Sequence, residues 1–453
     1  MAFTDSSESD CGNIDIKEPR NFNSQPDPSH GQVSKLNTPG DYHDGLPPVD
    51  RGTHAWLFLL ASAMLEALVW GYAFSFGIFQ KYYSTHEPFK GSSNIAAIGT
   101  CAMGIAYLIA PLPIIGMILV PRVARWVSTI GVCVMCLSLA LSSFSTSITH
   151  LILSQGIGFG IGGSLAYTPS ILFMSEWFVK RKGLAFGVVW SGSGISGVLF
   201  PLLLEWLLDS YGAPTTLRVS AVTLFVLSIP FLYFHRPRIS PSSAVNRIPL
   251  DFSFLYSKTF LVYQFGNIVQ ALGFFLPTIY LPTYAGKMGF GETLSSLTVT
   301  LINITSVFGS IMIGFLSDRY HVTSCLLIST IGTVVSVFLV WGLSSNIWSL
   351  YVFCILYGLL AGGYSSTWSS ITHEIQHANP ATDTSVIFPF METGRGIGNV
   401  VSGPLSEALL KADSWQYRAW GTYGSGYGVV VLWTGITALV GGIAVIAHYL
   451  KFV

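Results

Sequence analysis

Residues 176–201 read EWFVKRKGLAFGVVWSGSGISGVLFP. Three adjacent cations, Lys180, Arg181 and Lys182, lead straight into an apolar run that carries Gly183, Gly187, Gly192, Gly194 and Gly197 and ends at Pro201. A knot of Lys and Arg in a short loop holds that loop on the cytoplasmic side of a membrane. Glycines at close helical spacing strip a helix face of bulk, so a neighbouring helix approaches backbone to backbone. One short stretch therefore carries both an orientation signal and a packing ridge.

The rest of the chain has the composition this demands. Of its 453 residues 51% are hydrophobic and only 10% are charged, where a soluble globular chain carries about 25% charged residues. Mean hydropathy is +0.57. The expectation is a polytopic membrane protein in contact with lipid. Zero net charge removes the electrostatic case for binding nucleic acid. Five of the six cysteines, Cys101, Cys133, Cys136, Cys325 and Cys354, fall in apolar runs. The Cys133/Cys136 pair reads as small packing residues, not as a redox or metal motif. No nucleophile–base pair, phosphate loop or metal set is present, so neither an enzyme nor a cofactor is expected.

Residues 1–52 are rich in Ser, Asp, Asn, Pro and Gly. They read as a disordered cytosolic tail and not as a cleavable signal peptide. Beyond them, runs of about 20 apolar residues define twelve spans, at 55–80, 92–117, 124–146, 149–173, 182–208, 216–235, 258–286, 293–316, 322–344, 347–372, 383–410 and 428–450. The least apolar gap, 236–257, carries Pro237, Pro241 and Pro249 near the middle. This divides the chain into an N-terminal six-helix bundle (53–235), a cytosolic linker (236–257) and a C-terminal six-helix bundle (258–453). With both termini inside, eleven Lys and Arg fall in cytosolic loops and the C-tail, and six fall outside. Such a bias supports that topology. The N-terminal tail holds four more, and the remaining one of the 22, Arg395, lies inside span 11.

The halves echo each other. The turn after span 8 reads GFLSDR, Gly314 to Arg319, and the turn after span 2 reads GMILVPR, Gly116 to Arg122, without the aspartate. An Asp318/Arg319 pair, with Arg122, Lys180 and Arg181, makes a candidate cytosolic gate, held by charge-assisted hydrogen bonds.

The order of these features resembles the major facilitator superfamily, and within it the fungal branch of the monocarboxylate porters. The resemblance rests on DRGTHAW (50–56), WFVKRKGLAFG (177–187), LPTIYLPTYA (276–285) and GRGIG (394–398) followed by Gly403-Pro404. It implies an all-α membrane fold of twelve transmembrane helices in two pseudo-symmetric bundles that rock about a central cavity. It also implies organic acids as the main substrates, with relatives assigned to riboflavin uptake or to export of biosynthetic products. Animal members couple to protons through a lysine in span 1 and an Asp/Arg pair in span 8. Here the first region reads YAFSFG (72–77), and residues 297–314 hold only Asn303 as a strongly polar group. That coupling set does not carry over.

Ionised groups are costly in a bilayer, so they face a cavity or a partner. Glu392 and Arg395 lie three apart in span 11 and share a helix face. They read either as a clamp for a substrate carboxylate, with Arg395 binding and Glu392 holding it or exchanging a proton, or as a structural ion pair. Glu66 in span 1 reads as a proton carrier or as a packing residue. Tyr72, Phe76, Trp190, Asn303, Tyr364 and Trp368 are the candidates for the cavity wall. The expected function is secondary active transport of an organic acid or related metabolite, with efflux of a secondary metabolite from the plasma membrane as the first reading. Proton-coupled uptake of a monocarboxylate or a vitamin such as riboflavin is the alternative, and a non-transporting nutrient sensor is a distant one. A monomer is expected.

Overall fold

The computed structural model describes residues 46–92, 94–239, 250–411 and 420–450. The expected tail up to residue 45, the middle of the linker, Arg418 and Lys451 lie outside the described residues. All described regular elements are helical. Among the described residues ten helical stretches are long and apolar enough to cross a membrane. One of them, Lys182–Phe234, contains two helices, because Gly212 turns the chain at φ 75 and ψ 170, a conformation that only glycine adopts without strain. Pro214 follows in the first turn of the second helix, where its missing N–H leaves no bond unmade. Thr384–Lys411 is a further 28-residue helix, made less apolar by Glu392, Arg395 and Asn399. With these two additions the ten stretches become the twelve spans read from the sequence. Leu199, Leu202, Val222, Phe308 and Leu339 project outward, where acyl chains replace water.

Several spans begin at a capping side chain that accepts a backbone N–H. Ser147 accepts from His150, Ser257 from Phe260 and Asn346 from Ser349. Each cap satisfies one orphan donor of a helix N-terminus and contributes about 1 kcal/mol.

The buried apolar residues form two clusters. The larger is built on spans 1 to 6 and continues into Trp368, Ile371 and Ile375 of span 10 and Phe388 and Met391 of span 11. The other, around Leu276, Trp341, Phe353 and Tyr427, belongs to spans 7 to 12. The halves are therefore pressed together toward one face, the one carrying Lys180, Arg181 and Arg319, called here the basic face.

Spans 5 and 8 meet there almost backbone to backbone. A Cβ on Gly183 would run into Gly314 and Ser317, and one on Gly187 would sit 2.5 Å from the Ser310 carbonyl oxygen. Gly192 faces the other way, against Ala63 of span 1. The open N-terminus of span 5 is capped from the other half. Asp318 accepts from Gly183 N–H at 2.6 Å and from Leu184 N–H at 2.8 Å, a carboxylate placed on the positive end of a helix. Asp318 thus serves span 5, while the Arg319 guanidinium lies 4.2 Å from the Phe315 ring. Arg122 is exposed.

The three cations divide. Lys180 and Arg181 are exposed, and their backbone N–H groups, with that of Val179, donate to the Asp50 carboxylate at 3.0–3.1 Å. Lys182 does not stay in the solvated loop. It is buried, and its Nζ donates to Ser175 at 2.9 Å and to Thr384 of span 11 at 3.0 Å.

His235 ends span 6 between Ser128 (3.0 Å) and Ser170 (2.9 Å) and stacks on Phe58.

Candidate substrate cavity

A cavity of about 260 Å³ lies between the halves. One wall is Phe74, Met103, Tyr107, Trp190 and Ser193 of spans 1, 2 and 5. The facing wall is Phe274, Phe275, Asn303, Tyr357, Arg395 and Asn399 of spans 7, 8, 10 and 11. Toward the basic face it is floored by two aromatic contacts across the halves. Trp190 meets Trp368 edge to face at 5.6 Å, and Phe186 stacks on Phe388 at 4.5 Å. The Gly183/Gly314 contact and the Asp318 and Lys182 hydrogen bonds lie below that floor.

Arg395 is the charged residue on this wall and is 4% exposed. Its Nη1 donates to Gln270 Oε1 of span 7 at 3.1 Å. Its guanidinium carbon lies 4.3 Å from the Phe274 ring centre, 5.7 Å from Phe275 and 5.8 Å from Trp368. Aromatic faces stabilise a cation without neutralising it. Gly394 and Gly396 flank Arg395 because Gln264 of span 7 and Tyr107 of span 2 crowd the helix on either side. Gln264 and Asn267 of span 7 donate to the Phe390 and Met391 carbonyls, each at 2.6 Å, and so fix the turn of span 11 that precedes Arg395.

Glu392 and Arg395 share a helix but form no ion pair. Tyr167 of span 4 donates to Glu392 Oε2 at 3.1 Å. Among the described residues no carboxylate lies within ion-pair distance of Arg395. Glu392 and Glu66, 0% and 2% exposed, sit behind the cavity wall and not in it.

Of the other residues singled out from the sequence, Trp190 and Asn303 line the cavity. Asn303 also donates to the Gly197 carbonyl at 3.0 Å, which ties span 8 to span 5. Tyr72 is packed inside the first half, accepting from Gln155 at 3.0 Å, and Phe76 is pressed onto Gly99. Tyr364 is buried and donates to the Gly441 carbonyl at 3.4 Å. Trp368 is fully buried beneath Trp190. Sequence reasoning missed Tyr107, Gln270, Phe274, Phe275 and Tyr357. Gln270 had a signal, a strongly polar amide one turn before Phe274 in an apolar run. Glu374 pairs with His321 at 3.2 Å. Among the described residues no group of three or more ligands could hold a metal ion.

Two helical halves closing over a central cavity, with spans 5 and 8 and spans 2 and 11 in contact, now meet an independent comparison. The family model of the Major Facilitator Superfamily matches residues 55–402, with a second match over 265–447. The chain belongs to this superfamily. It is a multi-pass membrane transporter and not an enzyme. It is 28% identical to the MFS transporter asaE of Aspergillus flavus, over 89% of this chain and 90% of that protein. It is 27% identical to the agnestins efflux protein AgnL12 of Paecilomyces divaricatus, over 79% and 82%. It is 26% identical to monocarboxylate transporter 10 of Danio rerio, over 86% and 78%.

Proposed function

We propose that this transporter exports an organic-acid secondary metabolite across the plasma membrane, and that Arg395 binds the acid group. The observation that carries the reading is a buried guanidinium on a wall of aromatic, aliphatic and small polar residues, with no carboxylate within ion-pair distance among the described residues. A charge-assisted, bidentate contact from a ligand carboxylate would complete it, and Trp190, Phe274 and Phe275 offer flat surfaces to the ligand's body. The efflux reading draws on the fungal relatives, one of them named for the efflux of agnestins.

Lys180, Arg181, Arg236, Arg238 and Arg319 support the reading that the basic face and both termini are cytosolic, since Lys- and Arg-rich short loops stay on that side. The closed floor then seals the cavity from the cytosol, as in the state that releases substrate outward.

The test uses the full chain in nanodiscs with 1-naphthoate and its uncharged analogue 1-naphthamide as probes, read by tryptophan fluorescence, and efflux of preloaded naphthoate from proteoliposomes. The acid should bind at least about tenfold more tightly than the amide, a difference of about 1.4 kcal/mol, and should leave the vesicles in a protein-dependent way. Equal affinity for the two probes would overturn the anion site, and no protein-dependent efflux would overturn the transport reading.

A further inference from the structure

The small polar groups of the cavity wall differ in what they still have to offer a ligand. Ser193 donates to the Trp190 carbonyl at 2.8 Å, Ser306 to the Asn303 carbonyl at 2.8 Å and Ser310 to the Gly362 carbonyl at 3.2 Å. Each hydroxyl proton is used inside the protein, so these serines can meet a ligand only as acceptors. The Asn303 amide is tied to Gly197. Asn399 is not committed in this way. Its backbone carbonyl accepts from Ser402 at 2.7 Å. Its side-chain amide, half-buried on the cavity wall, makes no hydrogen bond to the described residues.

Asn399 follows Arg395 by four residues, and both line the cavity from one face of span 11. Four residues of α-helix rise about 6 Å, so the amide stands one turn from the base of the arginine, on the side away from the floor. Side chains lean toward the N-terminus of their helix. The longer arginine therefore reaches further toward the floor, to 5.8 Å from the Trp368 ring centre. Thr278 and Ser365 also line the cavity with uncommitted hydroxyls, but they stand on spans 7 and 10. The spacing of Asn399 from Arg395 is set within a single helix and survives any shift between helices.

We infer that Asn399 is a specificity-determining residue, and that the substrate is a hydroxyaryl acid whose hydroxyl stands across the ring from its carboxylate. This depends on the anion site read at Arg395 above and narrows the class of acid it takes. The carboxylate meets the Arg395 guanidinium, the ring lies against Phe274 and Trp190, and the hydroxyl meets the Asn399 amide, which donates through Nδ2 and accepts through Oδ1. A hydroxyl next to the carboxylate cannot span the same gap, because it folds back on the carboxylate as an internal hydrogen bond. An acid without the hydroxyl leaves the amide unpartnered once water is displaced. An apolar side chain at position 399 would leave the ligand's hydroxyl unpartnered. Either loss costs affinity.

The test is calorimetric titration of the full chain in nanodiscs with benzoate, 2-hydroxybenzoate and 4-hydroxybenzoate. The 4-hydroxy acid should bind about fivefold more tightly than either of the others, within the range of one net neutral hydrogen bond. In Asn399→Leu its advantage over benzoate should fall to about one or below, since a buried hydroxyl without a partner is unfavourable. Equal affinity for benzoate and 4-hydroxybenzoate, equal affinity for the two hydroxybenzoates, or an advantage that survives in Asn399→Leu would overturn the assignment. Should the leucine variant fail to fold, Asn399→Ala should lose the same advantage, and its persistence there would count equally against Asn399. A preference for 1-naphthoate over 1-naphthamide with no preference for 4-hydroxybenzoate would remove the hydroxyl reading alone. Equal binding of the two naphthyl probes would remove the anion site itself.

Discussion

Arg395→Ala should cut transport of an aromatic carboxylate to below about one-hundredth of the wild-type rate. Truncating one partner of a buried, hydrogen-bonded charge pair costs about 2–5 kcal/mol, and each 1.4 kcal/mol is about tenfold in affinity. Among the described residues that line the cavity there is no second cation to take over. Arg395→Lys should keep the charge but lose the planar fork and its stacking on Phe274, leaving a deficit of about tenfold. Asn303→Ala, by contrast, should cost little in affinity, because the Asn303 amide already donates to the Gly197 carbonyl. The measurement is initial-rate efflux of naphthoate from proteoliposomes, with binding read in parallel. Full transport by the alanine variant would sink the anion-site role, and an equal loss for charged and uncharged probes would make Arg395 structural.

Gly183→Val should abolish transport, to below about one-tenth of wild type, while leaving a folded, monodisperse protein. The glycine lies against Gly314, Ser317 and Asp318 of the other half, so added methyl groups meet the Gly314 carbonyl oxygen, which is backbone and cannot swing aside, as well as the Ser317 and Asp318 side chains. Overpacking of this kind costs about 1–3 kcal/mol, and it falls only on the state in which spans 5 and 8 touch. A penalty of that size shifts a two-state equilibrium by about 5- to 150-fold. Residues beneath the floor should become reachable from the basic face. A cysteine placed at Ser385, which now meets Ser175 at 3.2 Å, should be labelled by a polar maleimide in the Gly183→Val background and protected without it. Equal labelling in both would show that this contact does not govern closure.

The two residues differ in how openly the sequence announced them. Arg395 stood out because an intramembrane cation is costly and rare, a judgement that needs only the length and hydropathy of span 11. The glycine ridge stood out for a similar reason, since small residues at helical spacing have few uses other than close packing. Which way each glycine faces was not legible. Gly183 and Gly187 meet span 8, whereas Gly192 meets span 1, and only the rotation of span 5 about its axis assigns them. Lys182 is one of three adjacent cations with the same local context, yet it alone turns inward, because Ser175 and Thr384 are waiting for it. The cavity wall was the least legible part. Tyr72 and Phe76 looked as suitable as Phe274 and Phe275, and a long helix buried on most sides shows no stripe by which to tell them apart.

What the sequence determined by itself is what the bilayer imposes residue by residue. Span number, loop charge and the cost of a lone cation follow from transfer into hydrocarbon, a local property that needs no partner. Which group meets which depends on the assembled fold. Asp318 caps a helix 135 residues away in the chain, Tyr167 reaches Glu392 across 225 residues, and Glu392 and Arg395, adjacent on one helix face, are drawn apart to Tyr167 and Gln270. Hydrogen bonds and charge contacts are short-ranged and directional, so their pairing depends on the tilt and rotation of packed helices, and those exist only once the twelve spans have assembled.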